Sequence, residues 1–171
     1  MSFGQRTYLD SSVFIGAAIP GSNHNALTQA FCRQLVAEDT IVVYSVIMRY
    51  EYAHIANELA NSATRRHLPR ETINAYDLSD WDTDSEVRRR WMATVSENLD
   101  RLLDQFAYYV EVPINSEIWP LSIDAMVQHQ LRSYDTLHVA TARYFGITKT
   151  ATCDRHFAEV DDLEVAIIRD T

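Results

Sequence analysis

The sequence predicts an α/β fold in which a central parallel sheet is covered by helices on both faces. Segments with strand and helix patterns alternate through most of the 171 residues, which is typical of strands joined by crossover helices. The segment Thr40-Ile-Val-Val-Tyr44 is apolar and β-branched, as a strand buried on both faces should be. The chain length suits one domain with a sizeable core, so we expect a single domain over residues 1–171.

The predicted strands and helices follow one another in a regular order. Strands are predicted at residues 6–10, 40–44, 108–112, 149–152 and 164–168. Helices are predicted from residue 11, then at about 23–38, 45–60, 85–106, 114–132 and 135–145, with a short helical turn at 154–159. Ser22 or Asn23, and later Ser45, are expected to cap the starts of two helices, and Gly146 to close the last one.

The middle of the chain departs from this alternation. Residues 62–83 are polar, are broken by Pro69 and are predicted to be irregular. The long helix that follows is amphipathic, with apolar residues at Val87, Trp91, Val95, Leu99, Leu102 and Phe106. In the next helix, Pro120 marks either a kink or a later start.

The charge of the chain bears on how it would meet nucleic acid. The net charge of −9 argues against a protein that holds nucleic acid by a broad basic surface. The cationic side chains are fourteen arginines and Lys149, and ion pairing on the surface is favoured over phosphate binding as their role. An acidic enzyme that acts on RNA needs cations to mediate the contact, which favours a carboxylate site that carries metal.

Other features bear on the compartment in which the protein works. No segment approaches the roughly 18 apolar residues of a membrane span, and the N-terminus has no signal-like pattern. Cys32 and Cys153 have no CxxC partner or His cluster beside them, so we expect reduced thiols rather than a disulfide or a zinc site. These features predict a cytoplasmic protein.

Four acidic residues stand out by their positions relative to the predicted elements. Asp10 closes the first strand, Asp135 opens a helix, and Asp154 follows the fourth strand. Glu51 lies on the helix that follows the second strand. Taken singly, Asp10 and Asp135 are explained as helix caps, Asp154 as a turn residue and Glu51 as a solvated helix residue.

Taken together, the four positions favour a metal site. Open parallel sheets place their ligand sites at the carboxyl ends of the strands, and three of the four acids lie at strand-to-helix junctions on that side. Converging carboxylates repel one another, and the usual reason to keep them together is a hard cation. Mg²⁺ or Mn²⁺ takes oxygen ligands and retains several waters.

Four segments that carry these acids resemble the motifs of PIN domains, in the same order. They are Tyr8-Leu-Asp-Ser-Ser-Val-Phe-Ile15, Tyr44-Ser-Val-Ile-Met-Arg-Tyr-Glu51, Asp135-Thr-Leu-His-Val-Ala-Thr-Ala142 and Thr152-Cys-Asp-Arg-His-Phe157. The resemblance runs from Thr7 to about Ile168, which is nearly the whole chain. Four motifs in order are more specific than any one of them.

The resemblance to PIN domains implies a three-layer α/β/α fold and RNA cleavage that depends on Mg²⁺ or Mn²⁺. It implies a catalytic and metal-binding role for Asp10, Glu51, Asp135 and Asp154, and a supporting hydroxyl role for Ser11 and Thr152. Many bacterial members are VapC-type toxins that an antitoxin protein holds and that usually dimerise, so an antitoxin and a homodimer are expected. The segment at about 62–107 is longer than in compact members and is expected to be an extended helical insertion.

Some residues near these motifs are expected to have structural roles. His138 lies one turn after Asp135, and we expect it to pack within the helix rather than to act in the site. Trp81, Trp91 and Trp119 are expected in the core or an interface rather than as base-stacking platforms, and Trp81, in an acidic loop, is the first of them to examine as an exception. The arginines at 65–66, 70 and 88–90 are expected to form surface ion pairs at least as readily as to bind RNA phosphate.

Three other functions are considered on the sequence. An RNA-processing or housekeeping nuclease on the same fold stays open, although the small size and the lack of an appended RNA-binding domain favour a toxin. A non-catalytic binding module on this fold would be favoured if any of the four acids were missing, and none is. A phosphatase with an N-terminal aspartate nucleophile is disfavoured, because it needs a second Asp at the position of Ser12.

Overall fold

The computed structural model describes residues 5–19, 21–22, 24–61 and 69–169. The strands are β1 Arg6–Leu9, β2 Ile41–Ser45, β3 Tyr109–Val112, β4 Lys149–Thr152 and β5 Glu164–Ile167. The helices are α1 Ser11–Ala18, α2 Asn25–Ala37, α3 Ile47–Ala60, α4 Arg70–Ala75, α5 Ser85–Leu103, α6 Ile118–His129 and α7 Ser133–Tyr144. Short 3-10 segments lie at Leu78–Asp80 and Arg155–Glu159.

The five strands form one parallel sheet in the order β3-β2-β1-β4-β5. The central strand β1 pairs with β2 and β4, and Tyr8 lies opposite both Val43 and Thr150. Because all strands run in the same direction, their carboxyl ends lie at one edge. The predicted parallel sheet is confirmed, and the carboxyl edge is where β1 and β4 deliver the residues that follow them.

Helices cover the sheet on both faces, which makes the predicted three layers. Leu9, Val42 and Tyr44 pack with α1, α2, α3 and α5 in one large core. Tyr8 and Val43 point to the other face, where they pack with residues around α7. The alternation follows from the two-residue period of a strand, and it leaves both faces of the central strands buried.

The helix caps predicted at Ser22 and Ser45 are wrong. The Ser22 hydroxyl donates to the Gly16 carbonyl at 2.9 Å, and α2 begins after His24, which adopts a left-handed conformation with φ of 63°. The other candidate for this cap, Asn23, lies outside the described residues. Ser45 ends β2 instead of capping α3, whose first residue is Ile47.

The prediction of an irregular segment over residues 62–83 is wrong in its second half. Pro69 directly precedes α4, and two side chains of this half of the segment, Thr72 and Leu78, are buried. The expectation for residues 62–68, including the arginines at 65–66, lies outside the described residues. The helix α5 begins where predicted, because the Asp84 carboxylate accepts a hydrogen bond from the Glu86 N–H at 2.7 Å.

The helix predicted at 114–132 is shorter, and Pro120 marks its later start. The Asn115 side chain accepts from the N–H groups of Glu117 and Ile118 at 2.9 and 3.2 Å, so the chain turns before the helix begins. Pro120 then occupies the first turn of α6, where its missing N–H leaves no helical hydrogen bond unmade.

The three tryptophans have different environments. Trp81 is buried in the core, as expected, and does not form a base-stacking platform. Trp91 is in the core, where its indole N–H donates to the Ala56 carbonyl at 2.8 Å. Trp119 is 62% exposed on α6, so it is not a core residue.

The arginines of α5 interact with neighbouring groups of the protein, as expected. Arg89 pairs with Glu86, and Arg90 lies 3.4 Å from an Asp77 carboxylate oxygen. Arg88 donates to the Trp81 carbonyl at 2.7 Å.

Candidate functional site

The four acids identified in the sequence surround the carboxyl edge of the sheet. Asp10 directly follows β1, and Asp154 follows the neighbouring parallel strand β4. Asp135 lies in the first turn of α7, and Glu51 lies near the start of α3. Strand ends and helix starts therefore deliver all four side chains to the same end of the molecule.

Asp10 is buried and held by hydrogen bonds on both carboxylate oxygens. Its Oδ1 accepts from the Ser12 N–H at 2.7 Å and from the Ser12 hydroxyl, which makes Asp10 the N-cap of α1. Its Oδ2 accepts from the Thr152 hydroxyl at 2.6 Å. Burial raises the pKa of the Asp10 carboxyl above its ordinary value, against the opposing effects of His138 and of these hydrogen bonds.

Thr152 connects the acids of the two central strands. Its hydroxyl donates to Asp10 and accepts a hydrogen bond from the Asp154 N–H at 2.9 Å. The Ser12 hydroxyl accepts from the Cys153 N–H at 2.8 Å, which adds a second link between the same two segments. The two loops are thereby fixed relative to each other before any ligand binds.

The hydroxyl beside Asp10 belongs to Ser12 and not to Ser11, to which the sequence resemblance gave the supporting role. Ser11 is nevertheless close to the site, since its side chain helps to lower the pKa of Glu51. The signal for Ser12 was present in the sequence. A cap residue accepts from the residue two positions on, and that position after Asp10 is Ser12.

Asp154 also serves as a cap. Its Oδ1 accepts from the His156 N–H at 2.9 Å and contacts the His156 ring nitrogen Nδ1 at 2.8 Å. Burial opposes ionisation, but the bonds with His156 prevail and hold the pKa of Asp154 below its ordinary value. With Oδ1 engaged by the cap, Oδ2 is the oxygen that Asp154 offers to a ligand.

Asp135 is the least supported of the four carboxylates. Within the described part of the chain, no side-chain or backbone group donates a hydrogen bond to it. Burial, and then the charges of Asp154 and Asp10, raise the pKa of Asp135 to about 6. An unneutralised carboxylate among other carboxylates is stabilised by any cation that enters between them.

Glu51 is held by a buried histidine. The His138 Nε2 lies 2.7 Å from the Glu51 Oε2, and the His138 Nδ1 lies 2.8 Å from the Tyr8 hydroxyl oxygen. The expectation that His138 only packs within its helix is therefore wrong. Its position one turn after Asp135 already placed it on the same side of α7 as the site, but only the fold brings α3 and β1 against it.

The spacing of the acids suits a hydrated cation. Within the described ranges, the one set of three or more His, Cys, Asp or Glu side chains with donor atoms all within 4.8 Å is His129, Asp161 and Asp162. The four acids at the sheet edge are more widely spaced than that set. They offer oxygen atoms only, which are the ligands that Mg²⁺ and Mn²⁺ prefer, and the wider spacing leaves room for the waters that Mg²⁺ retains.

The set around His129 already has a cation of its own. The Arg143 guanidinium donates to the two carboxylate oxygens of Asp162 at 2.8 and 2.5 Å and lies 3.0 Å from the His129 Nε2. The other ring nitrogen of His129 lies 2.8 Å from the Glu159 carbonyl oxygen. Because Arg143 already pairs with Asp162 and contacts His129, the sheet edge is the better candidate for a metal centre.

Comparison with known proteins shows the family to which this fold belongs. The family model described as PIN domain matches residues 7–163. The chain belongs to the PIN domain family. A curated relative, named ribonuclease VapC6 of Methanocaldococcus jannaschii, is 26% identical over 159 residues, which is 92% of this chain and 94% of the relative.

Two solved structures share the PIN fold with this chain. A chain of the VapBC2 complex from Rickettsia felis, solved with a DNA fragment of its promoter, superposes with a TM-score of 0.59 at 10% identity. The match covers 96% of this chain and 99% of that one. VapC20 of Mycobacterium tuberculosis superposes with a TM-score of 0.54 at 14% identity, covering 93% and 98%. At these identities the likeness shows the fold.

No helix among the described residues combines the length and the apolar character that a membrane-crossing helix requires.

Proposed function

We propose that this PIN-domain protein is a metal-dependent endoribonuclease that hydrolyses RNA phosphodiester bonds and acts as the toxin of a toxin–antitoxin pair. The observation that carries the proposal is the environment of Asp135, a carboxylate without a hydrogen-bond donor in the described residues that lies among the charges of Asp154, Asp10 and Glu51. A purely structural role would not favour this concentration of negative charge.

The relatives support the ribonuclease assignment. The relative from Methanocaldococcus jannaschii is named a ribonuclease. The VapC20 structure is described as that of a toxin that cleaves the sarcin–ricin loop. We carry RNA cleavage over to this chain because it has an acid at each of the four motif positions.

Asp10, Glu51, Asp135 and Asp154 would hold Mg²⁺ or Mn²⁺, by direct contact or through water. A bound cation of this kind supplies Lewis acidity toward water and toward the phosphodiester. Side chains of the protein position the acids that would bind the cation. Thr152 and Ser12 fix the Asp10 carboxylate, the Arg155–Glu159 turn orients Asp154, and Asp135 contributes charge that no protein donor neutralises in the described structure.

The proposal includes a protein partner. A net charge of −9 and four acids at the carboxyl edge of the sheet attract cationic side chains, so we expect an antitoxin that inserts Arg or Lys near Asp10 and Asp135. The related Rickettsia felis structure is a VapBC complex. We expect the antitoxin to be encoded by a neighbouring gene, to co-purify with this protein and to inhibit RNA cleavage. If Asp135→Asn weakens binding of the antitoxin, the contact lies at Asp135.

The remaining sequence-based expectations become part of the proposal. We propose that residues 1–171 form one domain, that the segment 62–107 is its extended insertion, and that the protein is a homodimer in the cytoplasm. The part of the insertion that the structure describes contributes Trp91, Val95 and Leu99 to the main core, which supports its folding together with the sheet.

The proposed activity is tested by incubating the purified protein with total RNA and mapping the ends produced. We expect discrete cuts with Mg²⁺ or Mn²⁺ and none with a chelator. Asp135→Asn and Asp154→Asn should each reduce the rate at least about 100-fold, since each removes a charge on which the cation depends. Full cleavage in chelator, or unchanged cleavage by both variants, would contradict the proposed function.

A further inference from the structure

A buried pair of side chains lies behind Glu51 and is not part of the four-acid motif. The His138 ring is 1% exposed, and Tyr8, on the central strand, is fully buried beside it. The two rings meet edge to face, with centroids 5.8 Å apart. Both ring nitrogens of His138 have partners, the Tyr8 hydroxyl on one side and the Glu51 carboxylate on the other.

The direction of these hydrogen bonds follows from the partners. A carboxylate only accepts hydrogen bonds, and the Oε2 of Glu51 lies 2.7 Å from the His138 Nε2. In a neutral ring, Nε2 must then carry the hydrogen and Nδ1 accepts from Tyr8, whose pKa burial raises. In a protonated ring both nitrogens donate, and Nε2–H still points at Glu51.

We propose that His138 is a positioning residue that holds the Glu51 carboxylate in place for the cation, and that the Tyr8 hydroxyl orients the imidazole ring for this purpose. The inference rests on the proposed metal-dependent activity. It assigns a role to two residues outside the four acids.

Packing alone does not account for this arrangement. Glu51 belongs to α3, on one face of the sheet, whereas His138 belongs to α7, on the other face. A glutamate side chain has several rotatable bonds, and its ordering opposes binding when nothing holds it. The bond of 2.7 Å across the end of the sheet fixes one oxygen, Oε2, and leaves Oε1 for a ligand.

Two substitutions of His138 test the donor to Glu51 and the contact with Tyr8 separately. His138→Gln places its amide nitrogen near the position of Nε2 and preserves a donor to Glu51. His138→Asn reaches only the position of Nδ1, so it keeps the contact with Tyr8 and loses the donor to Glu51. Support from neighbouring side chains typically changes metal affinity by about 10–100-fold. We therefore expect Mn²⁺ to bind about 10–100-fold more weakly to His138→Asn and within about threefold of wild type to His138→Gln.

A matched control removes a hydroxyl from the same helix without touching Glu51. The Thr141 hydroxyl is buried in α7 and donates to the Leu137 carbonyl at 2.6 Å. Thr141→Val should lower the melting temperature while leaving Mn²⁺ affinity unchanged, which separates a loss of stability from a loss of positioning. Tyr8→Phe should weaken Mn²⁺ binding by a smaller factor than His138→Asn.

The experiment is titration of each full-length variant with Mn²⁺ by calorimetry, alongside RNA cleavage and thermal melting. The expected order of affinity is wild type, then His138→Gln, then Tyr8→Phe, then His138→Asn, with kcat following the same order. If His138→Asn and His138→Gln bind Mn²⁺ equally, the inference is overturned while wild-type cleavage upholds the proposed function. If wild-type protein neither binds Mn²⁺ nor cleaves RNA, both are overturned.

Discussion

At the scale of single residues, two buried threonine hydroxyls of β4 differ in their hydrogen bonding. Thr150 and Thr152 lie two positions apart on β4, and both are buried. The Thr152 hydroxyl bridges Asp10 and the Asp154 N–H, whereas the Thr150 hydroxyl has no hydrogen-bond partner among the described residues. A buried threonine hydroxyl therefore stabilises the fold at position 152, where it is hydrogen-bonded, and opposes folding at position 150, where it has no described partner.

The two threonines give a matched pair of substitutions. Thr152→Val keeps the shape of the side chain but leaves the Asp154 N–H and one Asp10 oxygen without their partner, so we expect a loss of about 1–3 kcal/mol of stability and most of the cleavage activity. Thr150→Val removes a buried hydroxyl that has no described partner, and we expect unchanged or higher stability with normal activity. Denaturant unfolding and RNA cleavage measure both, and equal effects of the two variants would contradict the role of Thr152.

The raised pKa of Asp135 predicts how the stability of the metal-free protein changes with pH. Because this pKa is about 6 in the folded state against 3.8 for an ordinary aspartate, the folded protein holds an extra proton between these values. Stability from this group is therefore present at low pH and is lost as pH rises through about 6. With allowance for solvent screening, the effect is about 1 kcal/mol, or about 2–4 °C in Tm.

Asp135→Asn isolates this contribution, because it removes the charge at nearly constant shape. In chelator at neutral pH we expect the variant to melt at the same temperature as wild type or higher. The difference should shrink toward pH 4, where Asp135 is protonated in the folded state. Thermal melts of both proteins from pH 4 to pH 8 measure it, and a variant that is less stable at neutral pH would mean that Asp135 is a structural cap.

Sequence patterns located the four acids and the hydroxyl of Thr152 beside Asp10, but not the histidine that contacts Glu51. Asp10, Asp135 and Asp154 were predictable because they adjoin strand ends or helix starts, and the parallel sheet brings these together. The role of His138 was not, because its bond to Glu51 joins residues 87 positions apart across the sheet. Neither spacing nor periodicity reports a contact of that kind.

At the scale of elements, α1 and α2 approach each other closely at a glycine. A Cβ atom built on Gly16 would lie 2.7 Å from the Cγ2 of Thr28 and 2.8 Å from its hydroxyl oxygen. Thr28 has little freedom to move, because its side chain is β-branched and its hydroxyl donates to the His24 carbonyl at 2.9 Å. The close approach holds α2 against the helix that Asp10 caps.

This contact predicts a coupled pair of substitutions. Gly16→Ala should destabilise the protein by about 1–3 kcal/mol, because the new methyl group overlaps Thr28. Thr28→Ala should be less harmful in the Gly16→Ala background than in wild type, since it removes the atoms that clash. A double-mutant cycle by denaturant unfolding measures the coupling, and additive effects would contradict the close approach.

The helix α6 carries four large apolar side chains that are exposed in the described structure, two of them mostly and two of them by more than a third. They are Trp119, Ile123, Met126 and Val127, which follow the spacing of one helical face. Exposed apolar surfaces of this kind mark interaction sites. The expected homodimer requires such a surface, and α6 provides one.

Charge on this face of α6 tests the expected dimer. The double variant Trp119→Glu/Val127→Glu should be a monomer while the wild-type protein is a dimer, because the acids oppose burial of the face. Gln128→Glu, an exposed position on the same helix, serves as the control and should remain dimeric. Light scattering after size-exclusion chromatography decides between these outcomes, and a dimeric double variant would place the interface elsewhere.

Secondary structure was predictable where a long pattern repeats and not where local contacts decide. The position of α5 was predictable because its apolar residues recur with a helical period, and the positions of the five strands because short strand-like segments alternate with helices along the chain. The short helix α4 was missed, since six residues do not establish a period. The start of α2 was misplaced because Ser22 hydrogen-bonds the end of α1 instead of its own helix.

At the scale of the whole molecule, the distribution of negative charge connects the fold with the proposed activity. The chain has a net charge of −9, and the carboxyl edge of the sheet concentrates four acids in a protein whose substrate would be a polyanion. Divalent cations overcome the repulsion between the acids and the phosphate groups of the substrate, because they neutralise the acids and attract phosphate at the same place. The account therefore depends on where the cation binds.

Anomalous diffraction from crystals grown with Mn²⁺ tests that dependence most directly, because it locates the ion without reference to activity. We predict a strong anomalous peak among Asp10, Asp135, Asp154 and Glu51, lost in Asp135→Asn crystals. The competing position is the exposed set of His129, Asp161 and Asp162, whose donor atoms lie within 4.8 Å of one another. A peak only at that set, or none at the sheet edge at millimolar Mn²⁺, would contradict the account.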